Sequence, residues 1–272
     1  MTRLPKSLII GAIITAIMVG AALLSRVWTP ADPTGMNIVA RLKPPGAAGL
    51  FGTDQIGRDV LSIIMAGAWT SLGIAVVATV IGGGIGTLLG VTAAAKGGRL
   101  ERLVMSFNGV LFAFPPILSA ILLGALLGPG ALTSIIAIGI FMVPVFARVT
   151  RAAAIQIWAR DYINAARMAG KGDARITMEH VLPNISAQII VQLAIQTGLG
   201  ILSEAGLSFL GMGVSPPTPS WGRMLSESQT FLDAAPHLVL APGLAIAITV
   251  LGLNLLGDGL RDLTDPRRGQ NG

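Results

Sequence analysis

Side chains that could perform chemistry are sparse in this sequence of 272 residues. It has no cysteine, which excludes a disulfide, a thiolate nucleophile and a cysteine-based metal site. Its two histidines, His180 and His237, lie far apart in the sequence, which argues against a histidine metal cluster. The polar segments show no Ser-His-Asp set and no paired carboxylates. We therefore expect no catalytic residue, no metal site and no cofactor bound by this chain.

Glu204 is the clearest ionisable residue inside an apolar run, in the stretch LSEAGLSF. A charged side chain at the centre of a bilayer costs about 2.5–3.5 kcal/mol on insertion scales. We expect the carboxyl to face a polar cavity, the interior of a helix bundle or the outer interface. Two interpretations stay open, a structural carboxylate with polar partners and a residue of a solute pathway or gate. One acidic residue is too few for a proton relay, so any uphill transport would need energy from a partner.

The glycine-rich stretch GGGIGTLLG at 82–90 invites comparison with a phosphate-binding loop. It lacks the Gly-Lys-Ser/Thr ending that holds phosphates and magnesium, and it lies inside an apolar run. Gly82, Gly86 and Gly90 instead follow an i, i+4, i+8 spacing. This spacing predicts a small-residue face for close packing between membrane helices.

Prolines interrupt two other apolar runs. Pro115 and Pro116 lie in FAFPPIL, and Pro144 lies in the next run. Proline in a membrane helix removes a backbone hydrogen bond and kinks the axis. Either these are static kinks that shape the bundle, or Pro115 and Pro116 mark a break or hinge that lines a pathway.

The elements that hold these residues are predicted to be membrane helices. The chain is 53% hydrophobic and 12% charged, with a mean hydropathy of +0.75, whereas soluble domains carry about 25% charged residues. Six apolar runs each approach the ~20 residues that cross a bilayer. These spans cover roughly 7–25, 70–95, 104–127, 131–150, 187–209 and 238–257. The fold class is therefore an all-α membrane protein with six transmembrane helices.

Lysine and arginine are unequally divided between the two ends of these spans. One end has fourteen: Arg3, Lys6, Lys96, Arg99, Arg102, Arg148, Arg151, Arg160, Arg167, Lys171, Arg175, Arg261, Arg267 and Arg268. The other has five: Arg26, Arg41, Lys43, Arg58 and Arg223. The positive-inside rule makes the richer end cytoplasmic. It predicts a cytoplasmic N-terminus (1–6), a membrane domain (7–257) and a cytoplasmic tail (258–272), with a cytoplasmic loop at 151–184 and external segments at 26–69 and 211–237. The net charge of +6 then reflects topology and not nucleic-acid binding.

The predicted cytoplasmic loop contains the stretch NAARMAGKGDARITMEHVLPN. Tyr162, Ile163, Ala166 and Met168 form a short apolar patch on a first helix, and Gly170 can end that helix in a left-handed cap. Asp173 can cap a second short helix, and Pro183 is predicted to stop it before span five. The helix–turn–helix is either an amphipathic connector at the membrane surface or a docking element for a cytoplasmic protein.

This stretch resembles the EAA loop of permease subunits of ABC importers. In the peptide branch of that family the pattern is E-A-A-R-x-x-G-x-x-D-x-R-I-x-x-x-H-x-L-P-N. The matching residues are Ala165, Ala166, Arg167, Gly170, Asp173, Arg175, Ile176, His180, Leu182, Pro183 and Asn184. Asn164 stands where the family often has glutamate, and Trp69 stands where it often has arginine.

Three other stretches resemble the same family in the expected order, FGTDQIGRDVLS at 51–62, SEAGLSFLGMGVSPPTPSWGRML at 203–225 and NLLGDGLRDLTDPR at 254–267. The chain is similar to the C-type permease of dipeptide, oligopeptide or nickel importers. The resemblance implies the type I ABC importer permease fold in a bacterial inner membrane, a heterodimer with a second permease, two cytoplasmic ATPases that hold ATP and magnesium, and an external solute-binding protein. It also implies a coupling loop that docks on one ATPase, with Ala165, Ala166, Arg167, Gly170, Asp173, Arg175, His180 and Pro183 as its residues.

Two other classes remain open on the residues alone. An ATP-independent channel or secondary carrier would transport solute by itself, and a membrane scaffold would have no solute path. The scarcity of buried charge and the cytoplasmic helix–turn–helix argue against the carrier. The sequence does not identify the solute.

Overall fold

The computed structural model describes residues 4–264, and these residues form helices and turns with no strand. The all-α prediction is confirmed. Arg3, Arg267 and Arg268 lie outside the described residues, as do parts of the predicted N-terminus 1–6 and tail 258–272. The helices are α1 (Lys6–Leu24), α2 (Val60–Lys96), α3 (Gly98–Ala113), α4 (Pro116–Leu127), α5 (Ala131–Trp158), α6 (Asp161–Met168), α7 (Asp173–Ile176), α8 (Leu182–Phe209), α9 (Trp221–Ser228) and α10 (His237–Thr264).

Five helical stretches are long and apolar enough to cross a membrane, and α3 and α4 together give a sixth. This matches the six predicted spans in number. Four helices, α2, α5, α8 and α10, are longer than their predicted spans. α2 begins at Val60, ten residues before the predicted span 70–95, because the Asp59 side chain accepts a 2.8 Å hydrogen bond from the Ser62 backbone N–H and caps the helix. α5 continues to Trp158, past the predicted end at 150.

The predicted third span, 104–127, is broken. α3 and α4 meet at an angle of 84°. Phe114 is extended, as expected for a residue before proline, and Pro116 occupies the first turn of α4, where its missing N–H costs nothing. The two prolines therefore produce a break and not a slight kink.

The centre of the bundle is the pairing of α2 with α5. Gly82, Gly86 and Gly90 face α5, and a Cβ added at any of them would overlap atoms of Gly139, Val143 or Thr150. The predicted small-residue packing face is thus confirmed, because only glycine allows the two backbones to approach so closely. α1 packs on α10 at the side of the bundle.

At the predicted external end, α9 folds back into the bundle. Trp221 is fully buried among Ile64, Ala68, Ala205 and Leu238. Its indole N–H donates a 3.0 Å hydrogen bond to the Ile64 carbonyl, and its backbone N–H donates a 3.2 Å bond to Ser71 Oγ. These bonds fix the segment before α9 on α2, so the helix ends on this side of the bundle are closed by a packed element.

Candidate functional site

The segment from Ala159 to Val181, which we call the loop segment, is firmly attached to the ends of three long helices. Its apolar side chains Ile163, Ile176 and Val181 are fully buried and form one cluster with Val91 of α2, Ala154 of α5 and Ile185 of α8. Burying a side chain of this size is worth about 1.5–3 kcal/mol. The loop segment therefore has a fixed position on the bundle.

The opposite face of the loop segment is exposed. Ala165, Arg167, Gly170, Asp173 and Arg175 lie on the surface, as does Pro183 just beyond the segment. Met168 is 91% exposed. The predicted apolar patch therefore divides, since Ile163 and Ala166 pack inward while Tyr162 and Met168 point outward.

Gly170 ends α6 in the predicted left-handed conformation, with φ of +80°. The Gly170 N–H donates to the Arg167 carbonyl at 2.9 Å, and the Lys171 N–H donates to the Ala166 carbonyl at 3.1 Å. This pair of bonds is a Schellman cap, which stops a helix and turns the chain sharply. The cap sets the direction of α7 relative to α6.

Ion pairs fix the second half of the loop segment. Glu179 accepts hydrogen bonds of 2.6 Å from both Lys171 Nζ and Arg175 Nε. The bond from Lys171, followed by that from Arg175, lowers the pKa of Glu179 to about 2. Its carboxylate therefore stays ionised at physiological pH.

Arg167 and His180 complete the surface of the loop segment. The Arg167 guanidinium lies 5.0 Å from the centroid of the Trp158 ring and 3.7 Å from an oxygen of Asp173. His180 Nε2 lies 3.3 Å from Lys171 Nζ, and its ring meets the ring of Tyr162 edge-on. His180 thus has protein neighbours, and no group of three metal-ligating side chains occurs in residues 4–264.

Two predictions for this region are wrong. Asp173 is the first residue of α7, and Gly172 precedes it without a side-chain cap, so Asp173 pairs with Arg167 instead. Pro183 does not stop the second helix. It lies in the first turn of α8, after a π-helical turn at Thr177–Val181, and Asp173–Phe209 is one continuous helix. Proline is tolerated inside this helix because the π-helical turn before it adjusts the local backbone hydrogen bonds.

Glu204 lies in α8 and is 0% exposed. Its carboxylate accepts a 2.6 Å hydrogen bond from Ser208 Oγ, and the hydroxyls of Ser71 and Ser220 lie beside it. These partners come from α2, α8 and the residue before α9. Glu204 therefore lies in a closed polar cluster next to Trp221.

The break between α3 and α4 lies close to α8, on a side of it that the Glu204 carboxyl does not face. Pro115 and Pro116 are exposed, and Pro116 lines a cavity of about 50 Å³ with Ser203 and Leu207, which flank Glu204 in the sequence. The structure thus brings the broken helix close to the helix that contains Glu204, although the carboxyl itself points to the other cluster.

One polar site was missed by the sequence analysis. At the predicted external end, Arg58 pairs with Asp54 at 2.5 Å and with Glu227 at 3.5 Å, and Glu227 also pairs with Arg223 at 2.6 Å. These side chains line a cleft of about 260 Å³ that lies between α9 and the segment preceding α2. The polar stretch GTDQIGRDV was visible in the sequence, but its partner Glu227 is 169 residues away from Arg58.

Comparison with known protein families gives a match over residues 86–270, and the family is described as binding-protein-dependent transport system inner membrane component. The matched range contains the loop segment, Glu204 and the break at Pro115 and Pro116. It covers more than half of the chain.

Relatives with assigned names are similar over nearly the whole chain. The dipeptide transport system permease protein DppC of Alkalihalophilus pseudofirmus is 40% identical over 262 residues, which cover 96% of this chain and 86% of that protein. The glutathione transport system permease protein GsiD of Escherichia coli is 42% identical over 257 residues, which cover 94% of this chain and 85% of that protein.

Among solved structures, a chain of the MetNI methionine ABC transporter, described in inward facing conformations, matches with a TM-score of 0.60 and 19% sequence identity. The match covers 75% of this chain and 97% of that chain. At this identity it shows the fold alone. The predicted ABC importer permease fold is confirmed.

Proposed function

Because the chain belongs to the family of binding-protein-dependent transport system inner membrane components, we propose that it forms half of the translocation path of an ATP-driven importer. The other half is a second, homologous permease. Two ATPase subunits on the cytoplasmic side hold ATP and magnesium, and an external binding protein delivers the solute. This chain contributes no catalytic residue.

The observation that carries the proposal is the two-sided loop segment. Its inner side is buried against α2, α5 and α8, while its outer side presents Arg167, Met168 and Gly170 to a partner. A docking element must be rigid toward the helices that it moves and exposed toward the subunit that moves it. A surface connector with no partner would not need both properties.

The loop segment leads directly into a membrane helix. Asp173–Phe209 is continuous, so displacement of the loop by an ATPase would be passed to the outer end of the bundle through one helix. We propose that the exposed break at Pro115 and Pro116 is a hinge that lines the translocation path. We also propose that Glu204 connects α8 to the segment around α9 that closes the outer end of the bundle. This arrangement favours coupled transport over an ATP-independent channel.

The named relatives support a peptide-like solute. They are permeases of dipeptide and glutathione systems, two solutes that contain peptide bonds. We propose that this importer moves a short peptide or a related small molecule, with the external binding protein as the main source of selectivity.

The experiment uses two glycines of the loop segment. Gly170 has a φ of +80°, whereas Gly172 has a φ of −75°, and a Cβ added at either would meet no atom within 4 Å. An alanine in the left-handed region costs about 1–2 kcal/mol, a factor of about 5–30 in an equilibrium. We expect Gly170→Ala to reduce uptake and solute-stimulated ATP hydrolysis by about that factor in the assembled complex.

Gly172→Ala is the matched control, because alanine accepts its backbone conformation, and we expect near-normal coupling. Normal uptake and ATPase stimulation in Gly170→Ala would contradict the proposal. So would purification of the full chain without any ATPase subunit.

A further inference from the structure

Arg26 and Trp69 form a pair at the predicted external end that the proposed function does not use. Arg26 follows the end of α1, and its guanidinium lies 5.3 Å from the centroid of the Trp69 ring on α2. Within residues 4–264, Arg26 has no carboxylate within ion-pair distance, unlike Arg58 and Arg223 at the same end. The pair is therefore a cation held in place without a counter-ion.

A groove of about 420 Å³ lies beneath this pair. Ser25, Arg26 and Thr70 give it a polar upper end. Ile74, Val77 and Ile135 give it an apolar lower end, and Gly73, which has open space in front of it, leaves room for a chain to pass. The groove is thus polar at one end and apolar at the other.

The groove continues into an exposed apolar face along α2. The large exposed side chains of this face are Val76, Val77, Val80, Ile81, Ile85 and Leu88. The helix rises about 28 Å from Trp69 to Leu88 at about 1.5 Å per residue, close to the ~30 Å of a hydrocarbon core. Trp69 and Arg26 then lie at the level of the headgroups, where tryptophan is enriched in membrane proteins.

A water-filled path for a peptide-like solute does not suit this face. Such a path needs polar groups along its length to replace hydration, as pore linings generally provide. The face of α2 below Thr70 offers aliphatic side chains and glycine instead. The chemistry fits an acyl chain below and an anionic headgroup above.

We propose that this groove binds one anionic phospholipid in the external leaflet, with its phosphate on Arg26 and an acyl chain along α2. Trp69 holds the guanidinium through its ring face, and Ser25 and Thr70 line the headgroup end. The site is separate from the loop segment and does not depend on the solute that is transported.

The test uses the full-length chain with its partner subunits in nanodiscs of equal phosphatidylglycerol and phosphatidylethanolamine. Lipid that remains bound after transfer to detergent is counted by native mass spectrometry. We expect wild type to retain phosphatidylglycerol over phosphatidylethanolamine by about fivefold, the effect of one basic side chain near an anionic surface. Arg26→Gln should reduce this preference to near one.

Arg41→Gln is the matched control, since Arg41 is also exposed at this end but does not line the groove. It should keep the preference. The double variant Arg26→Gln/Trp69→Arg places a cation on the other wall and should restore it, which also shows that the variant is folded.

Four results would overturn the proposal. One is equal retention of the two lipids by wild type, and another is an unchanged preference in Arg26→Gln. The third is a photo-crosslink from position 69 to a partner subunit, which would show that protein covers the groove. Inorganic phosphate should leave the retained lipid in place, and its displacement of the lipid would indicate a simple anion site instead. None of these measurements involves ATP or solute, so their outcome is independent of the transport assays.

Discussion

At the scale of single residues, Ser208 shows how Glu204 is accommodated in an apolar bundle. The Ser208 hydroxyl donates to the Glu204 carboxylate and also accepts a 3.3 Å hydrogen bond from the Val214 N–H. Removing it leaves the buried Glu204 carboxyl and the partly buried Val214 N–H without this partner. Each such loss costs about 1–3 kcal/mol.

We expect Ser208→Ala to lower the apparent melting temperature of the purified protein by several degrees. Ser203→Ala is the matched control on the same helix, because Ser203 is exposed and its hydroxyl donates to the Leu199 carbonyl of its own helix. Its effect should be within about 0.5 kcal/mol. Equal losses in the two variants, measured by thermal unfolding in the same detergent, would show that the Glu204 cluster adds no stability.

The sequence predicted that Glu204 would face a polar cavity, the bundle interior or the outer interface, and it is buried beside polar side chains that the sequence could not identify. Ser71 of the cluster and Trp221 beside it are 150 residues apart in the chain. Nothing in the local pattern around PSWG shows that this stretch, predicted to be external, returns into the bundle. Such long-range contacts form when the helices pack, and the periodicity and spacing of residues in the sequence do not predict them.

At the scale of elements, the prolines show why helix boundaries were harder to predict than helices. Pro115 and Pro116 break a span by 84°, whereas Pro183 follows a π-helical turn inside a helix that continues from Asp173 to Phe209. A proline in a helix interior removes a backbone hydrogen bond and clashes with the preceding turn, unless a local π-helical turn makes room for it. The sequence around Leu182 does not show whether such a turn forms.

The break gives a distance prediction. Leu103 on α3 and Leu126 on α4 are both exposed, and an 84° bend places them about 26 Å apart along the helix axes, against about 34 Å for a straight helix. We expect the distance between spin labels at these positions to increase by about 9 Å when Pro115 and Pro116 are both replaced by alanine. The measurement is double electron–electron resonance on Leu103→Cys/Leu126→Cys, in a chain without native cysteine.

Labels at Leu132 and Ile155 are the control, since these exposed positions on α5 have the same sequence separation in an unbroken helix. They should stay about 34 Å apart with and without the proline replacements. An unchanged distance across the break would mean that packing on α5 and α8 causes the bend, with no contribution from the prolines.

At the scale of the whole molecule, the positive-inside prediction sets which end faces the cytoplasm. Met168 in the loop segment and Val39 in the segment before α2 are both 91% exposed, so accessibility in the folded chain is matched. In intact cells, with the partner subunits present, we expect a membrane-impermeant maleimide to label Val39→Cys but not Met168→Cys. After the membrane is opened and the docked ATPase subunits are removed, both should react. Labelling of Met168→Cys in intact cells would reverse the orientation and remove the coupling role from the loop segment.

The continuous helix from Asp173 to Phe209 also limits how the length of this chain can vary. One residue inserted between the loop segment and Glu204 would rotate everything after it by about 100°. Glu204 would then turn away from Ser71 and Ser220, and the buried carboxyl would face apolar neighbours or lipid. The segment of turns before α2 is not helical, and its chain reverses direction several times before Val60. An inserted residue there would not rotate the side chains that follow it around a helix axis. Insertions and deletions should therefore accumulate there and be excluded from the 37 residues that join the loop to the outer end.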